Sequence, residues 1–371
     1  MATNKLVKVG IIGCGEITQV AHISTLGFLS DFFTITYLCD VSAESLRHNA
    51  QKVINHIPRT TQDPVELCAS PDVDLVFIAS SDEYHAMHVI EGLRHDKHVF
   101  VEKPMALCSR DADAIIDAEE RSKGKVMVGY MRRYAAAFLD MIKEIGGMDK
   151  ILYARVRDII GPNSHFVAQS GTFPKVFTDF TPEVMQDKND RASEIVHQAL
   201  SVECGIPVNP ESTSMWRLLG GLGSHDLSAM REALGMPERV IGASINLPFW
   251  SAMLEYPTFS ATYESGIDNV PRFDAHIEVY SMTKSVRVKY DTPYIKGLPV
   301  SMVVCENVDG VYRESTIKRT YEDPYTLEMK ELYQMVAHGK EVKTTAKDAK
   351  KDLKIFQMII KAGTRTQPQP G

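Results

Sequence analysis

The run Val7-Lys8-Val9-Gly10-Ile11-Ile12-Gly13-Cys14-Gly15 limits the possible folds more than any other part of the chain. A mostly apolar stretch broken at once by closely spaced glycines reads as a buried β-strand entering a tight turn, with Glu16 and Ile17 opening the helix beyond. Such a turn lets backbone approach a pyrophosphate and aims a helix N-terminus at it. The glycine fingerprint is partial. Thr18 stands where glycine or alanine allows close packing of helix on strand, so a slightly different helix approach is expected. An ordinary strand-to-helix turn is the alternative.

Strands and helices continue to alternate through the first third. The pattern predicts strands at Val7–Ile12, Phe33–Cys39, 74–79, 98–101 and 125–129, and helices at 19–28, 43–54, Pro64–Ala69, 84–94 and 109–123. Strands punctuated by helices build right-handed crossovers and a parallel, doubly wound sheet. After about residue 150 the pattern changes. Segments 151–158, 240–247, 259–265, 272–281, 285–291, 301–307 and 312–321 are strands joined mainly by turns, which predicts a large, mostly antiparallel sheet. Two helices, Pro324–His338 and 347–361, precede a Gln/Pro tail expected to be loose. The expected α/β architecture is a doubly wound domain over 1–130 and a second α/β domain over 131–371.

A length of 371 residues suits two domains, and the net charge of -7 supplies no basic field for nucleic acid or anionic lipid. The six cysteines are scattered without a C-x-x-C, so neither a disulfide framework nor a metal site is indicated. Met1-Ala2-Thr3-Asn4-Lys5 leads straight into the first strand, leaving no room for a signal peptide, and no apolar run is long enough to span a bilayer. A cytoplasmic location is the expectation.

Three further segments carry chemistry. Asp40 ends the second strand, where a carboxylate accepts hydrogen bonds from an adenosine ribose and repels a 2′-phosphate, favouring NAD over NADP. Helix capping is the alternative for Asp40, and nearby Ser42 and Arg47 leave NADP open. In His98-Val99-Phe100-Val101-Glu102-Lys103-Pro104 the proline stops the strand and leaves Lys103 at the carboxyl edge of the sheet, where ligands of open α/β sheets bind; a surface lysine is the plain alternative. Between them, Ser80 to His85 leaves another strand end, although His85 also suits a helix start. Later, Gly220-Gly221-Leu222-Gly223-Ser224-His225-Asp226 presents His225 from a glycine-rich helix start, where an imidazole suits proton transfer near neutral pH or a structural role.

These ordered motifs, with Gly129-Tyr130-Met131-Arg132-Arg133-Tyr134, resemble the glucose-fructose oxidoreductase/inositol dehydrogenase (Gfo/Idh/MocA) family over nearly the whole chain. The resemblance implies an N-terminal Rossmann domain, a second domain whose open sheet mediates homodimers or homotetramers, and a last helix packed back on the Rossmann domain. It implies hydride transfer between NAD(P) and a sugar, polyol or related hydroxy or keto compound. Lys103 would be the main catalytic residue, with His225 supporting it. Gly13, Gly15, Glu16, Ile17, Asp40, Ser80, His85, Glu102 and Lys103 would hold the dinucleotide, and Arg132, Tyr134 and Asp158 would serve the substrate side.

The chain departs from the family pattern at Gly221, where an aspartate commonly stands four residues before the histidine. Asp158 and Asp226 are candidate substitutes. A catalytically silent dinucleotide or sugar sensor, and NAD-dependent glycosidase chemistry, therefore stay open. The long stretch 159–215 exceeds ordinary loop lengths and reads as a lid or binding loop, or as a subunit-contact arm.

Overall fold

The computed structural model describes residues 5–366; the first four residues and the Gln/Pro tail lie outside it. The chain forms two units that interleave in sequence. The first holds residues up to Gly129, then Gly171–Val208 and Glu328–Leu353, and the second holds Tyr130–Ser170, Asn209–Leu327 and the residues from Lys354 onward.

In the first unit the strands are β1 (Val7–Ile12), β2 (Phe33–Cys39), β3 (Arg59–Thr61), β4 (Leu75–Ile78), β5 (His98–Glu102) and β6 (Val126–Gly129). They form one parallel sheet in the order β3-β2-β1-β4-β5-β6. Every residue of β4 is buried, as expected of a central parallel strand covered on both faces. The helices are α1 (Ile23–Phe28), α2 (Ala43–Ala50), α3 (Pro64–Ala69), α4 (His85–Arg94) and α5 (Ser109–Glu120). Strand order reverses between β1 and β4, which leaves a crevice at their carboxyl ends.

The second unit contains α6 (Ala136–Gly146), β7 (Tyr153–Ile160) and α7 (Asn163–Ala168). The chain then returns to the first unit for α8 (Pro182–His197). In the second unit α9 (Pro210–Leu218) and α10 (Ser224–Leu234) precede β8 (Arg239–Ser244), β9 (Phe249–Glu255), β10 (Ser260–Ile267), β11 (Phe273–Tyr280), β12 (Lys284–Tyr290), β13 (Ser301–Val308) and β14 (Val311–Ile317). These strands and β7 make an eight-stranded sheet ordered β14-β13-β12-β11-β7-β10-β9-β8, in which β7 and β10 run parallel and the other neighbours antiparallel. Ala275, Ile277, Val279, Val286 and Val288 bury the inner face. β9 is absent from the sequence expectation because its outer face carries the exposed Phe249 and Met253, which hides the alternation that marks a half-buried strand.

The last helices are α11 (Pro324–His338) and α12 (Ala346–Thr366). Lys347 Nζ contacts Glu120 at 2.7 Å, so the start of α12 lies along α5 within the first unit. No helix among the described residues is long and apolar enough to cross a membrane.

Candidate active site

The glycine turn is held by backbone geometry that only glycine satisfies. Gly13 has φ +96°, and a Cβ there would lie 2.4 Å from the Ser80 nitrogen. A Cβ on Gly15 would meet nothing within 4 Å. Close packing of two strand ends thus requires Gly13, while Gly15 keeps space open in front of the turn. Thr18, the departure from the glycine fingerprint, is fully buried and donates its hydroxyl to the Gly13 carbonyl at 2.6 Å. The helix beyond contains a π-helical turn over Thr18–His22.

Gly13, Gly15, Asp40 and Ser80 line one cavity of about 700 Å³ with Gln62, Tyr84 and His88. That volume suits a small-molecule or cofactor site. Asp40 accepts the Cys14 N–H at 2.7 Å on one carboxylate oxygen and the Ser42 N–H at 2.8 Å on the other. Burial pushes its carboxyl up, those two N–H groups pull it down, and the Asp179 carboxylate adds to the rise. Ser80 Oγ lies 3.0 Å from His88 Nδ1. Burial, His85 and Arg191 bring the His88 imidazole down to about 4, so it is neutral near neutral pH.

The outer wall of this cavity comes from the long inserted stretch. Phe180, Glu183, Val184, Met185, Asp187 and Lys188 line it. Tyr84 donates its hydroxyl to Asp187 at 2.7 Å, Gln19 exchanges two hydrogen bonds of 2.9 Å with the Lys175 backbone, and Lys52 donates to the Thr172 carbonyl at 2.8 Å. Residues 171–208 are therefore a strap fixed to the Rossmann unit. The sequence marks this stretch as a lid, binding loop or arm and Tyr84 as part of a strand end, but not His88, nor the pairing of Tyr84 with Asp187 103 residues on.

Other expected cofactor residues lie outside the cavity lining. Glu16 and Ile17 begin the helix after the turn. His85 is buried, with one ring nitrogen 2.8 Å from the Pro104 carbonyl and the other 2.9 Å from that of Ser80, so it ties the ends of β4 and β5 together. Lys103 directly follows β5 and is half-buried. Behind it, Glu102 contacts His22 Nε2 at 2.8 Å and accepts the Lys103 N–H at 3.1 Å. Burial pushes the Glu102 carboxyl up, but His22 and Lys103 together hold it below its ordinary range.

The remaining candidates belong to the second unit. His225 is in the first turn of α10. The glycines before it are not a loop: Leu219–Gly223 forms a π-helical turn joining α9 to α10. Gly223 is required by packing, since a Cβ would approach the Tyr263 hydroxyl to 2.9 Å, whereas one on Gly221 would meet nothing within 4 Å. The missing carboxylate at Gly221 is therefore not excluded by crowding from this unit. Arg132 is buried in the short 3-10 turn Met131–Tyr134; its guanidinium bonds Asp226, lies 3.1 Å from Asp158, and rests over the rings of Phe273 and Tyr290. Burial drives the Asp226 carboxyl well up, with Arg132 opposing and Asp158 reinforcing the rise. Asp158 and Asp226 are thus both committed to one enclosed guanidinium, and Tyr134, two residues after Arg132, is buried. Among the described residues no cluster of side chains is arranged to hold a metal ion.

Comparison with known proteins agrees with this geometry. Residues 7–130 match the GFO_IDH_MocA oxidoreductase family, an NAD-binding Rossmann fold. The first third of the chain is thus similar to the NAD-binding domain of the Gfo/Idh/MocA family. A myo-inositol 2-dehydrogenase from Thermotoga maritima is 30% identical over 179 residues, 47% of this chain and 51% of that protein. The chain thus spans about half the length of this curated relative. Two solved structures share the fold: the 3-ketoreductase KijD10 from Actinomadura kijaniata, in complex with NADP, has TM-score 0.70 at 14% identity, covering 96% of this chain and 98% of its own. A levoglucosan dehydrogenase in complex with NADH and levoglucosan has TM-score 0.70 at 14% identity, covering 98% and 100%.

The residues present suit a dinucleotide. Gly13 is a contact no side chain fits, Gly15 leaves an open approach, and Asp40 stands at the end of β2 facing the same cavity.

Proposed function

We propose that the protein is an NAD(H)-dependent oxidoreductase that interconverts a secondary alcohol and a ketone on a polyol or sugar. The observation that carries this reading is the cavity built on Gly13, Gly15, Asp40 and Ser80 in a chain similar to this family, with Lys103 directly after β5. Inositol dehydrogenase similarity over the aligned half supports the substrate class.

When bound, the nicotinamide supplies the hydride acceptor or donor. Asp40 would orient the adenosine ribose through its carboxylate, and the open approach at Gly15 would admit the pyrophosphate to the helix start. Lys103 takes the hydroxyl proton during oxidation and stabilises the oxygen as negative charge develops on it, a contribution typically of about 10²–10⁴ in rate. Glu102, held by His22, fixes the backbone from which Lys103 projects. His225 supports proton transfer at the substrate oxygen. Arg132, Asp158 and Asp226 form a buried scaffold beneath the first turn of α10 and so hold the helix that carries His225.

Gly221 favours a second reading, a silent sensor that binds dinucleotide without turnover. Screening inositols, sugars and their keto forms while following NADH absorbance separates the two. Turnover of any of them supports the enzyme, while saturable NADH binding without turnover across the panel favours the sensor. The protein is also expected to assemble as a homodimer or homotetramer.

A further inference from the structure

Ser42 begins α2 and is fully buried, and each of its polar groups has a defined partner. Its hydroxyl oxygen accepts the Ser45 N–H at 2.8 Å as the helix cap. Its own N–H goes to Asp40 at 2.8 Å, and its hydroxyl proton goes to Asp179 in the strap. The second Asp179 oxygen accepts the Glu44 N–H at 3.1 Å. Arg47, the cation on the same helix, lies 3.8 Å from Glu44 and also helps hold the Asp179 carboxyl below its ordinary range, after the Ser42 and Glu44 bonds.

A hydroxyl and a backbone N–H at a helix start, with an arginine one turn on, are the donors a ribose 2′-phosphate would need. Here both donors are already taken by a carboxylate of the chain itself. The placement is not a chance surface contact, because the strap is anchored on either side of Asp179: by Lys175 on Gln19, at 2.9 Å, and by Asp187 on Tyr84, at 2.7 Å. The next residue, Phe180, lines the same cavity as Asp40 and Val41.

We propose that Asp179 is a specificity-determining residue, a fixed carboxylate that the strap places at the start of α2 so that the pocket admits a dinucleotide with a free 2′-hydroxyl and rejects one bearing a 2′-phosphate. The proposal rests on the reading of this cavity as the dinucleotide site. A neutral ribose hydroxyl gains an acceptor in Asp40. A dianionic phosphate meets two carboxylates and no unoccupied donor at Ser42 or Glu44, a like-charge arrangement that discriminates by repulsion rather than by added attraction. Asp40 is at the end of β2, whereas Asp179 arrives from an inserted stretch 137 residues after Ser42. Specificity is thus divided between the Rossmann core and the strap.

The test is titration of the full chain with NADH and with NADPH, read by fluorescence, for the unmodified protein, Asp179→Asn and Asp179→Ser. Asparagine keeps the shape and removes the charge, so it decides the question even if serine loosens the strap. The expected result is at least a tenfold preference for NADH in the unmodified protein. In Asp179→Asn that preference falls about tenfold through tighter NADPH binding, with NADH affinity changed less than threefold. An unchanged ratio in Asp179→Asn, or an initial preference for NADPH, overturns the proposal while leaving the dinucleotide site intact. Failure of the unmodified protein to bind either dinucleotide overturns both.

Discussion

The Cys14 N–H donates to Asp40 Oδ2 at 2.7 Å, which ties the glycine turn after β1 to the end of β2. The two parts of the proposed dinucleotide site, glycine turn and carboxylate, are therefore joined by one contact. Asp40→Ser removes an ionised acceptor from two backbone N–H groups and a repulsive charge from the pocket. Its NADH affinity should fall at least tenfold, given the larger contribution of hydrogen bonds to charged groups, while its relative preference moves toward NADPH. Equilibrium titration with both dinucleotides checks this, and an unchanged preference would count against Asp40 as a determinant.

The two glycines of the turn should separate folding from binding. Gly13→Ala places a Cβ against Ser80 backbone at a φ of +96°, so it should destabilise the protein by roughly 2–4 kcal/mol in urea unfolding. Gly15→Ala meets no protein atom within 4 Å and should unfold within about 1 kcal/mol of the unmodified protein while losing most of its dinucleotide affinity. Equal affinity in Gly15→Ala would mean that the dinucleotide does not pass over this turn.

The His88 imidazole, lowered from 6.5 to about 4, gives a pH signature. Its neutral form is favoured in the folded state, so the associated stability is fully present above pH 6.5. It is lost as pH falls from 6.5 toward 4, because the unfolded chain takes up the proton first. The loss levels off below 4 at about 3 kcal/mol at most. His88→Gln should show a shallower fall across that window in melting temperature against pH. A parallel curve would contradict the assignment.

Much of the fold was legible because punctuation and periodicity agreed. Phe33–Cys39 ends at Asp40, Pro64–Ala69 starts on a proline after the capping Asp63, and Pro324–His338 has the same bounds in sequence and structure. The helix start at His225 was legible from its glycines, but the π-helical turn that joins it to α9 was not, and only Gly223 lies close to Tyr263. Asp40 and Lys103 were legible because a strand end fixes them. Asp179 was not, because its meaning depends on Ser42, 137 residues earlier in the chain.

Arg132 should be a structural weak point. Arg132→Met leaves Asp158 and Asp226 buried without their cation and should cost about 3–5 kcal/mol, as for other buried pairs broken from one side. Asp226→Asn should cost much less, since burial already favours the protonated carboxyl there. Chemical unfolding of the two variants checks the order, and a larger loss for Asp226→Asn would show that the aspartate is ionised in the native state.

Lys103, directly after β5, is proposed to carry the proton transfer. The most direct measurement is turnover of the best polyol or sugar substrate by Lys103→Ala, alongside its NADH dissociation constant. The expected result is a loss of about 10²–10⁴ in turnover with NADH affinity within a few-fold of the unmodified protein. Turnover at the unmodified rate would contradict it.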